Sequence, residues 1–520
     1  MNEILKNQQD FNITNDILLR LQNSSITLAA AAKELAISED EICQLASNKF
    51  GYEIADISAI DYALADSLPL DMMVKFEILP IKFDANFISI AMKNPFDTGA
   101  LLKLRNIYKD KIIKPLIMQP SRLDRVLAKL PLHYGLNAII SQAKSQINSK
   151  GSSDDSAILR LIDRVLCSAI GLNSSDIHIE PLGIGCSIRV RIDGVLCELF
   201  EFDSDIYAGL TGRLKLLANL DIAEHKKAQD GRFSYEINGR SVDFRISVLP
   251  IIGGQSVVLR ILDSHKMIVN LQNLGLNELN LSTLKSAISK SYGMILVTGP
   301  TGSGKTTTIY SALNELKGPT KKIITIEEPV EYQMSYLQQV AVGHRSAISF
   351  EEALRSALRQ DPDIIMIGEI RDHQSLRTAV GAALTGHLVL STLHTNNAIS
   401  AIDRMMDMGL ERYLISGSVI AIMAQRLARK LCLHCKEITK DGHYKAHGCP
   451  HCVGTGYSGR VVISEVLEIS ANLASLIARG ESSGAILEAA LSEGFVPIKD
   501  MAMELVGSGV TSLEEVLSLI

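Results

Sequence analysis

Residues 299–306 read Gly-Pro-Thr-Gly-Ser-Gly-Lys-Thr, and this octapeptide leaves the surrounding chain few choices of fold. Before it, Met294-Ile-Leu-Val-Thr298 is the apolar, β-branched-rich run of a buried strand; after it, Thr307 to Leu316 contains neither Pro nor Gly, as a helix requires. A strand, a glycine loop and a helix in that order aim several backbone N–H groups and a helix N-terminus at one point. That point suits a polyphosphate. Gly299, Pro300, Thr301, Gly302, Ser303, Gly304, Lys305, Thr306 and Thr307 are the expected nucleotide-binding residues. Lys305 would reach the β and γ phosphates as a point charge, and the Thr306 hydroxyl would ligate Mg²⁺. The competing reading is a glycine-rich turn without a ligand, which the flanking strand and helix disfavour.

The 520 residues suffice for three or four domains, and 47% hydrophobic with 21% charged residues is ordinary for folded chains. A formal charge of -6 provides no general attraction to nucleic acid or anionic lipid. The first ten residues lack the basic start and apolar core of a signal peptide, and no 18-residue apolar span follows; the chain is expected to stay in the cytoplasm.

Residues 1–140 carry apolar residues at helical spacing in Ile17 to Leu21, Leu28 to Leu35 and Glu39 to Phe50, and alternate like a strand from Phe83 to Met92. Ser38-Glu-Asp-Glu41 reads as a helix cap, and the region as a docking or regulatory domain. Residues 141–156 are rich in Ser, contain almost nothing to bury and read as a linker. A second, α+β domain is expected over 157–270. It begins with a helix, Ala157 to Ile170, and continues with strands at Asp176 to Glu180, Cys186 to Ile192, Phe233 to Ile237 and Val242 to Leu249. Hairpin turns are marked by Asp193-Gly194 and Asn238-Gly239. Arginines recur on or beside these strands: Arg189, Arg191, Arg232, Arg240, Arg245 and Arg260. One such arginine reads as a surface residue, whereas a cluster beside a nucleotide domain points to phosphate.

From 271 to 520, strands and helices alternate, the pattern of a parallel sheet covered on both faces. Strand-like segments end in Glu327, Glu328 and Glu331, in Glu369, and in His394. Ligands of open α/β sheets sit beyond the carboxyl ends of the strands, so these groups should converge on the phosphate loop. Cys432-Leu-His-Cys435 and Cys449-Pro-His-Cys452 have the spacing of a closed four-thiolate Zn²⁺ site, within an insert spanning 430–460. The remaining cysteines, Cys43, Cys167, Cys186 and Cys197, are scattered and read as buried thiols.

The ordered set Ser175-Asp-Ile-His-Ile-Glu-Pro181, Gln229-Asp-Gly-Arg232, phosphate loop, Ile326-Glu-Glu-Pro-Val-Glu331, Gly368-Glu-Ile-Arg-Asp372, Thr385 to Thr395 and the tetracysteine insert resembles the type II secretion and type IV pilus assembly ATPases of the GspE/PilB type. It departs from them in having Glu327-Glu328-Pro329 where Glu-Asp-Pro is usual, and in lacking Leu-Pro before Gln229. The resemblance implies a RecA-like P-loop ATPase domain, preceded by a PAS-like α+β domain and a mainly helical N-terminal domain. It further implies a homohexamer, acting at the cytoplasmic face of the inner membrane on a platform protein, with a second inner-membrane assembly protein docking the N-terminal domain. Arg232 and Arg245 are then expected to reach the nucleotide. Glu331 would orient or deprotonate the attacking water, Glu369 would hold Mg²⁺ through water, and His394 would sense the γ-phosphate; the two glutamates are open to exchange of roles. Retraction ATPases of this kind generally lack the N-terminal region and the tetracysteine insert, so the expected direction is secretion or pilus extension. A nucleic-acid translocase is the alternative motor, disfavoured by the acidic charge and by 12 Phe, 13 Tyr and no Trp for base stacking.

Overall fold

The structure, a computed structural model, describes residues 8–56, 62–148, 156–183, 185–237, 239–262, 270–343, 348–439 and 441–520. The chain opens with three helices, α1 (Gln8–Gln22), α2 (Leu28–Glu34) and α3 (Glu39–Phe50). Ser38 closes the reciprocal cap expected of it: Glu41 N–H donates to its Oγ at 3.2 Å, and Ser38 N–H donates back to the Glu41 carboxylate at 2.8 Å. Helices α4 (Tyr62–Ala65) and α5 (Leu70–Phe76) lead to β1 (Ile78–Phe83), β2 (Phe87–Met92), α6 (Thr98–Ile107), β3 (Ile112–Ile117) and α7 (Pro120–His133). The strand expected from Phe83 to Met92 is interrupted: Phe83 ends β1, and Asp84 to Asn86 turn the chain into its antiparallel partner β2.

The Ser/Gln-rich stretch expected as a linker is helical over its first half. Helix α8 (Leu136–Asn148) runs through it, and Ile139, Ile140 and Ala143 pack on α9 (Ser156–Gly171) within the core of the second domain. Polar composition hid an apolar stripe at helical spacing; residues 149–155 lie outside the described set.

The second domain is one six-stranded sheet in the order β6-β5-β4-β9-β8-β7, antiparallel at every pairing. Its strands are β4 (Asp176–Pro181), β5 (Gly185–Ile192), β6 (Val195–Asp203), β7 (Gln229–Ile237), β8 (Arg240–Ile251) and β9 (Gly254–Leu262), with α10 (Ser204–Leu217) between β6 and β7. Alternate residues such as Ile177, Ile188, Phe244, Ile246 and Leu259 turn to the core beneath the helices. The residues between them face away, and that face carries the arginines.

The third domain holds a seven-stranded sheet in the order β12-β11-β13-β14-β10-β15-β18. Strands β10 (Gly293–Thr298), β11 (Ile323–Glu327), β12 (Leu337–Ala341), β13 (Ile364–Ile367), β14 (Leu388–Leu393) and β15 (Val419–Leu431) are parallel. The tetracysteine insert contributes two short strands, β16 (Glu437–Ile438) and β17 (Tyr444–Lys445), before β18 (Tyr457–Glu468) returns antiparallel to β15. Residues of β10 alternate between two cores: Met294 and Leu296 pack on one face, Ile295 and Val297 on the other. Burial on both faces is why that strand reads as an unbroken apolar run. Asp193, in the β5–β6 turn, joins the second and third domains by accepting Gly459 N–H at 2.8 Å and lying 3.5 Å from Arg460 Nε.

Candidate active site

The phosphate loop joins β10 to the helix Lys305–Leu316, with φ of 145° at Gly299, 80° at Gly302 and 88° at Gly304. A Cβ at Gly299 would lie 2.5 Å from the Gln425 carbonyl and 2.6 Å from Ser303 Oγ, so the loop closes only on glycine. Gln425, a fully buried polar residue in β15, holds the loop from behind: its Nε2 donates to Ser303 O at 2.6 Å, and its Oε1 accepts Thr308 Oγ1 at 2.8 Å. Lys305 Nζ donates to the carbonyls of Gly299 at 2.8 Å and Pro300 at 3.0 Å. Burial pulls its ammonium below the ordinary lysine value, with Glu369 opposing that shift.

The expected convergence is present. A cleft of about 650 Å³ is lined by Thr301, Gly302, Ser303, Gly304, Lys305, Thr306 and Thr307 together with Glu331, Glu369 and His394. Glu369 follows β13 and is bound by Arg371 and by His394, whose Nε2 lies 3.3 Å from Oε2. Burial acts to raise the Glu369 carboxyl, but the bonds and charges of Arg371 and then His394 outweigh it and hold the group below the ordinary glutamate range. Arg371 also reaches Glu328 at 3.2 Å, tying two strand ends together. Glu327 is almost fully buried, and its carboxylate accepts Tyr310 Oη, Thr325 Oγ1 at 2.5 Å and Gln339 Nε2 at 3.2 Å. It is a structural anchor for the segment that ends at Glu331.

The donor set fits the groups expected there. Thr306 and the carboxylates of Glu328, Glu331 and Glu369 supply hard oxygen donors to one cleft, the chemistry Mg²⁺ takes. Ser303 Oγ and Thr298 Oγ1 are buried beside the phosphate loop without a hydrogen-bond partner among the described residues.

Arg232 and Arg245 are not among the cleft residues. They occupy β7 and β8 directly opposite each other, and the neighbouring position on β9 is Arg260, which does line the cleft. Arg260 belongs to the arginine cluster that the sequence points to phosphate, whereas Arg371, which also lines the cleft, carries no expectation from sequence although it lies inside Gly368 to Asp372.

The four insert cysteines lie with their sulfurs within 4.8 Å of one another. Cys432 Sγ and Cys449 Sγ are 3.7 Å apart, Cys435 Sγ and Cys452 Sγ 3.8 Å, and Cys449 Sγ and Cys452 Sγ 3.8 Å. A disulfide needs about 2.05 Å, whereas a tetrahedron of Zn–S bonds near 2.3 Å has edges of about 3.8 Å. Gly448 N–H donates to Cys435 Sγ at 3.3 Å and Gly456 N–H to Cys452 Sγ at 3.1 Å, the support thiolates require. The imidazoles of His434 and His451 stack on each other, with centroids 3.9 Å apart.

Residues 151–518 match the family model described as type II/IV secretion system protein, and residues 50–134 match the MshEN domain. The type II secretion system protein HxcR of Pseudomonas aeruginosa is 44% identical over 77% of this chain and 88% of its own length. The type IV pilus assembly ATPase PilB of Myxococcus xanthus is 35% identical over 94% of this chain and 92% of its own. Among solved structures, the pilus retraction motor PilT with bound ADP aligns at a TM-score of 0.51 and 31% identity, covering 69% of this chain and 96% of that one. The Legionella pneumophila ATPase DotB, at 22% identity and a TM-score of 0.55, has the same fold over 69% of this chain. With the matched region spanning the arginine-bearing sheet, the phosphate-loop cleft and the tetracysteine insert, the chain belongs to the type II/IV secretion system ATPase family.

Proposed function

We propose that this protein hydrolyses ATP in the cleft at the phosphate loop and uses the energy to drive type II secretion or type IV pilus extension. The observation that carries this reading is the meeting of Lys305, Glu331, Glu369 and His394 in one cleft beyond the carboxyl ends of parallel strands. Hydrolysis of a phosphoanhydride asks mainly for positioning and charge neutralisation. Lys305 neutralises charge on the β and γ oxygens, displaced from the Gly299 and Pro300 carbonyls by the stronger phosphate acceptor. Glu331 orients and deprotonates water for attack on the γ-phosphorus, and His394 reads the γ-phosphate and passes its presence to Glu369 through their shared hydrogen bond. Thr306 directly and Glu369 through water would hold Mg²⁺, which supplies further neutralisation of the phosphate oxygens.

The four thiolates make a closed zinc site whose role is structural, because four Cys leave no open position for chemistry. The working unit is a homohexameric ring at the cytoplasmic face of the inner membrane. It engages a platform protein there, and the N-terminal domain docks a second assembly protein. Extension or secretion is preferred to retraction because the retraction motor PilT is matched over 96% of its length yet accounts for only 69% of this chain. The test is phosphate release from Mg-ATP with and without the cytoplasmic part of the cognate platform protein, across protein concentration. Activity per subunit should rise steeply with concentration and rise again with the partner. Full activity in a dilute monomer, insensitive to the partner, would contradict the ring motor.

A further inference from the structure

Helix α7 touches all three domains. Leu123, Val126, Leu127 and Leu130 form its apolar stripe at helical spacing and are buried in the core of the N-terminal domain. Its first turn is tied to α3, where the Glu39 carboxylate accepts Ser121 N–H at 3.0 Å and Ser121 Oγ at 2.6 Å. Its far end meets the second domain: Tyr134 O accepts Arg164 Nη2 at 3.2 Å, and the His133 and Phe200 rings lie edge to face with centroids 5.5 Å apart. Between these ends α7 lies on the tetracysteine insert, against the turn Pro450–Cys452. A Cβ on Gly454 would stand 3.4 Å from Cγ and 3.8 Å from Cβ of Arg125, so the stem of that arginine rests directly on the insert backbone. A cavity of about 320 Å³ beside the contact is lined by Ser121 and Asp124 of α7 and by Glu437 and His447 of the insert. Charge points the same way. Four thiolates around Zn²⁺ leave roughly two negative charges in excess. Helix α7 carries Arg125 and Lys129 one turn apart on its exposed side, while its one acid, Asp124, is already paired with Lys93 at 2.6 Å.

We propose that the tetracysteine insert, folded around zinc, is the docking surface for α7 of the same chain, and that this contact fixes the N-terminal domain on the ATPase domain. This rests on the zinc reading of the four thiolates. The turn that α7 meets lies within the Cys449–Cys452 ligand pair, so the energy of metal binding shapes the docking surface. The insert is also the connection between β15 and β18, and β15 carries Gln425 behind the phosphate loop. The docked helix therefore sits on an extension of the strand that supports the nucleotide site.

The test is a proximity cross-link on the full chain. Arg125→Cys combined with Gly454→Cys sets two Cβ atoms 3.8 Å apart, a separation that a disulfide accepts. Mild oxidation of the zinc-loaded protein should close a loop within one chain, seen as faster gel migration and as a joined 125–454 peptide by mass spectrometry. Adding Cys435→Ser should remove the zinc and lower the yield of that loop about 10-fold. Adding Lys129→Glu should keep the zinc and slow closure about 3-fold to 10-fold at low salt, with a smaller effect at high salt. Should Gly454→Cys itself lose zinc, amine cross-linking of the unsubstituted chain from Lys129 to Lys436 or Lys445 reads the same contact. No cross-link by either route in zinc-loaded protein, a covalent dimer in place of the loop, a yield unchanged by Cys435→Ser or a rate indifferent to Lys129→Glu would overturn the docking as proposed. Wild-type protein purified without zinc would instead overturn the reading on which it rests.

Discussion

The hydroxyl of Tyr310 donates to the buried carboxylate of Glu327 and also hydrogen-bonds the backbone of Glu331. Both side chains are almost wholly out of solvent, and Tyr310 lies one turn into the helix that starts at Lys305. Burial, followed by the Glu327 bond, drives the phenol far above its ordinary value, so it remains a donor at any pH at which the protein is folded. The helix that binds phosphate is thereby pinned to the segment that carries the proposed base.

Tyr310→Phe removes the pin and leaves the Glu327 carboxylate short of one donor in a dry site. Stability should fall by about 1–3 kcal/mol, the cost of an orphaned buried polar group, and kcat should fall about 10-fold to 100-fold, as expected of a displaced catalytic group. KM should change little, since the phosphate loop keeps its Gln425 support. Urea unfolding and steady-state kinetics on the variant check both numbers. An unchanged kcat would mean that Glu331 holds its place without Tyr310.

Cys432→Ser or Cys449→Ser should lower bound zinc from about one per chain to none, because a structural site's binding energy is folding energy. The unfolding should stay local: the insert packs at the β15–β18 edge of the sheet, far in strand order from β11 and β13, which carry Glu331 and Glu369. Metal analysis and near-ultraviolet circular dichroism measure the two parts. Wild-type protein purified under reducing conditions without zinc would refute the site.

Glu465 on β18 accepts the N–H groups of Ala398 and Ile498, each at 2.6 Å, and so caps two helices from one buried carboxylate. Burial raises its pKa above the ordinary glutamate value, while those two bonds and Arg426 pull the other way without prevailing. The folded state then holds the proton to higher pH than the unfolded chain does. Stability from this group is complete below about pH 4.3, the unfolded value, and is lost as pH rises from there through the folded value. Glu465→Gln should remove that downward slope while adding an offset independent of pH. Unfolding midpoints of both proteins from pH 4.5 to 7 give the comparison, and parallel profiles would assign the pH dependence to other groups.

The residues of the cleft were legible because each ends a run that can only be a buried strand: Met294 to Thr298 before the loop, Ile323 to Ile326 before the glutamates, Ile364 to Ile367 before Glu369. Strand ends of a parallel sheet share one edge, so the sequence order of these motifs was enough to assemble them. Arg260 is legible only as one of a cluster of arginines, because β9 follows a Gly253-Gly254 turn with no Asn-Gly or Asp-Gly signal to mark its strand. Cross-strand register, which sets Arg260 beside Asp176, is a tertiary fact with no trace in local spacing. Gln425 was hidden for a different reason: within an apolar strand, a lone amide gives no sign that it will meet the phosphate loop 122 residues away. Helix α8 was mistaken for a connector because its exposed face dominates its composition, and only the neighbouring α9 gives its apolar stripe something to cover.

The central claim, that the cleft turns over ATP with Lys305 and Glu331 in separate roles, is tested most directly by phosphate release from Mg-ATP alongside binding of a fluorescent ATP analogue, for wild type, Lys305→Ala and Glu331→Gln. Wild type should turn over only with Mg²⁺ present. Lys305→Ala should lose both binding and turnover, and Glu331→Gln should bind nearly as wild type while hydrolysing about 100-fold more slowly or worse. Wild-type turnover in either variant, or no turnover by the assembled wild-type ring, would contradict it.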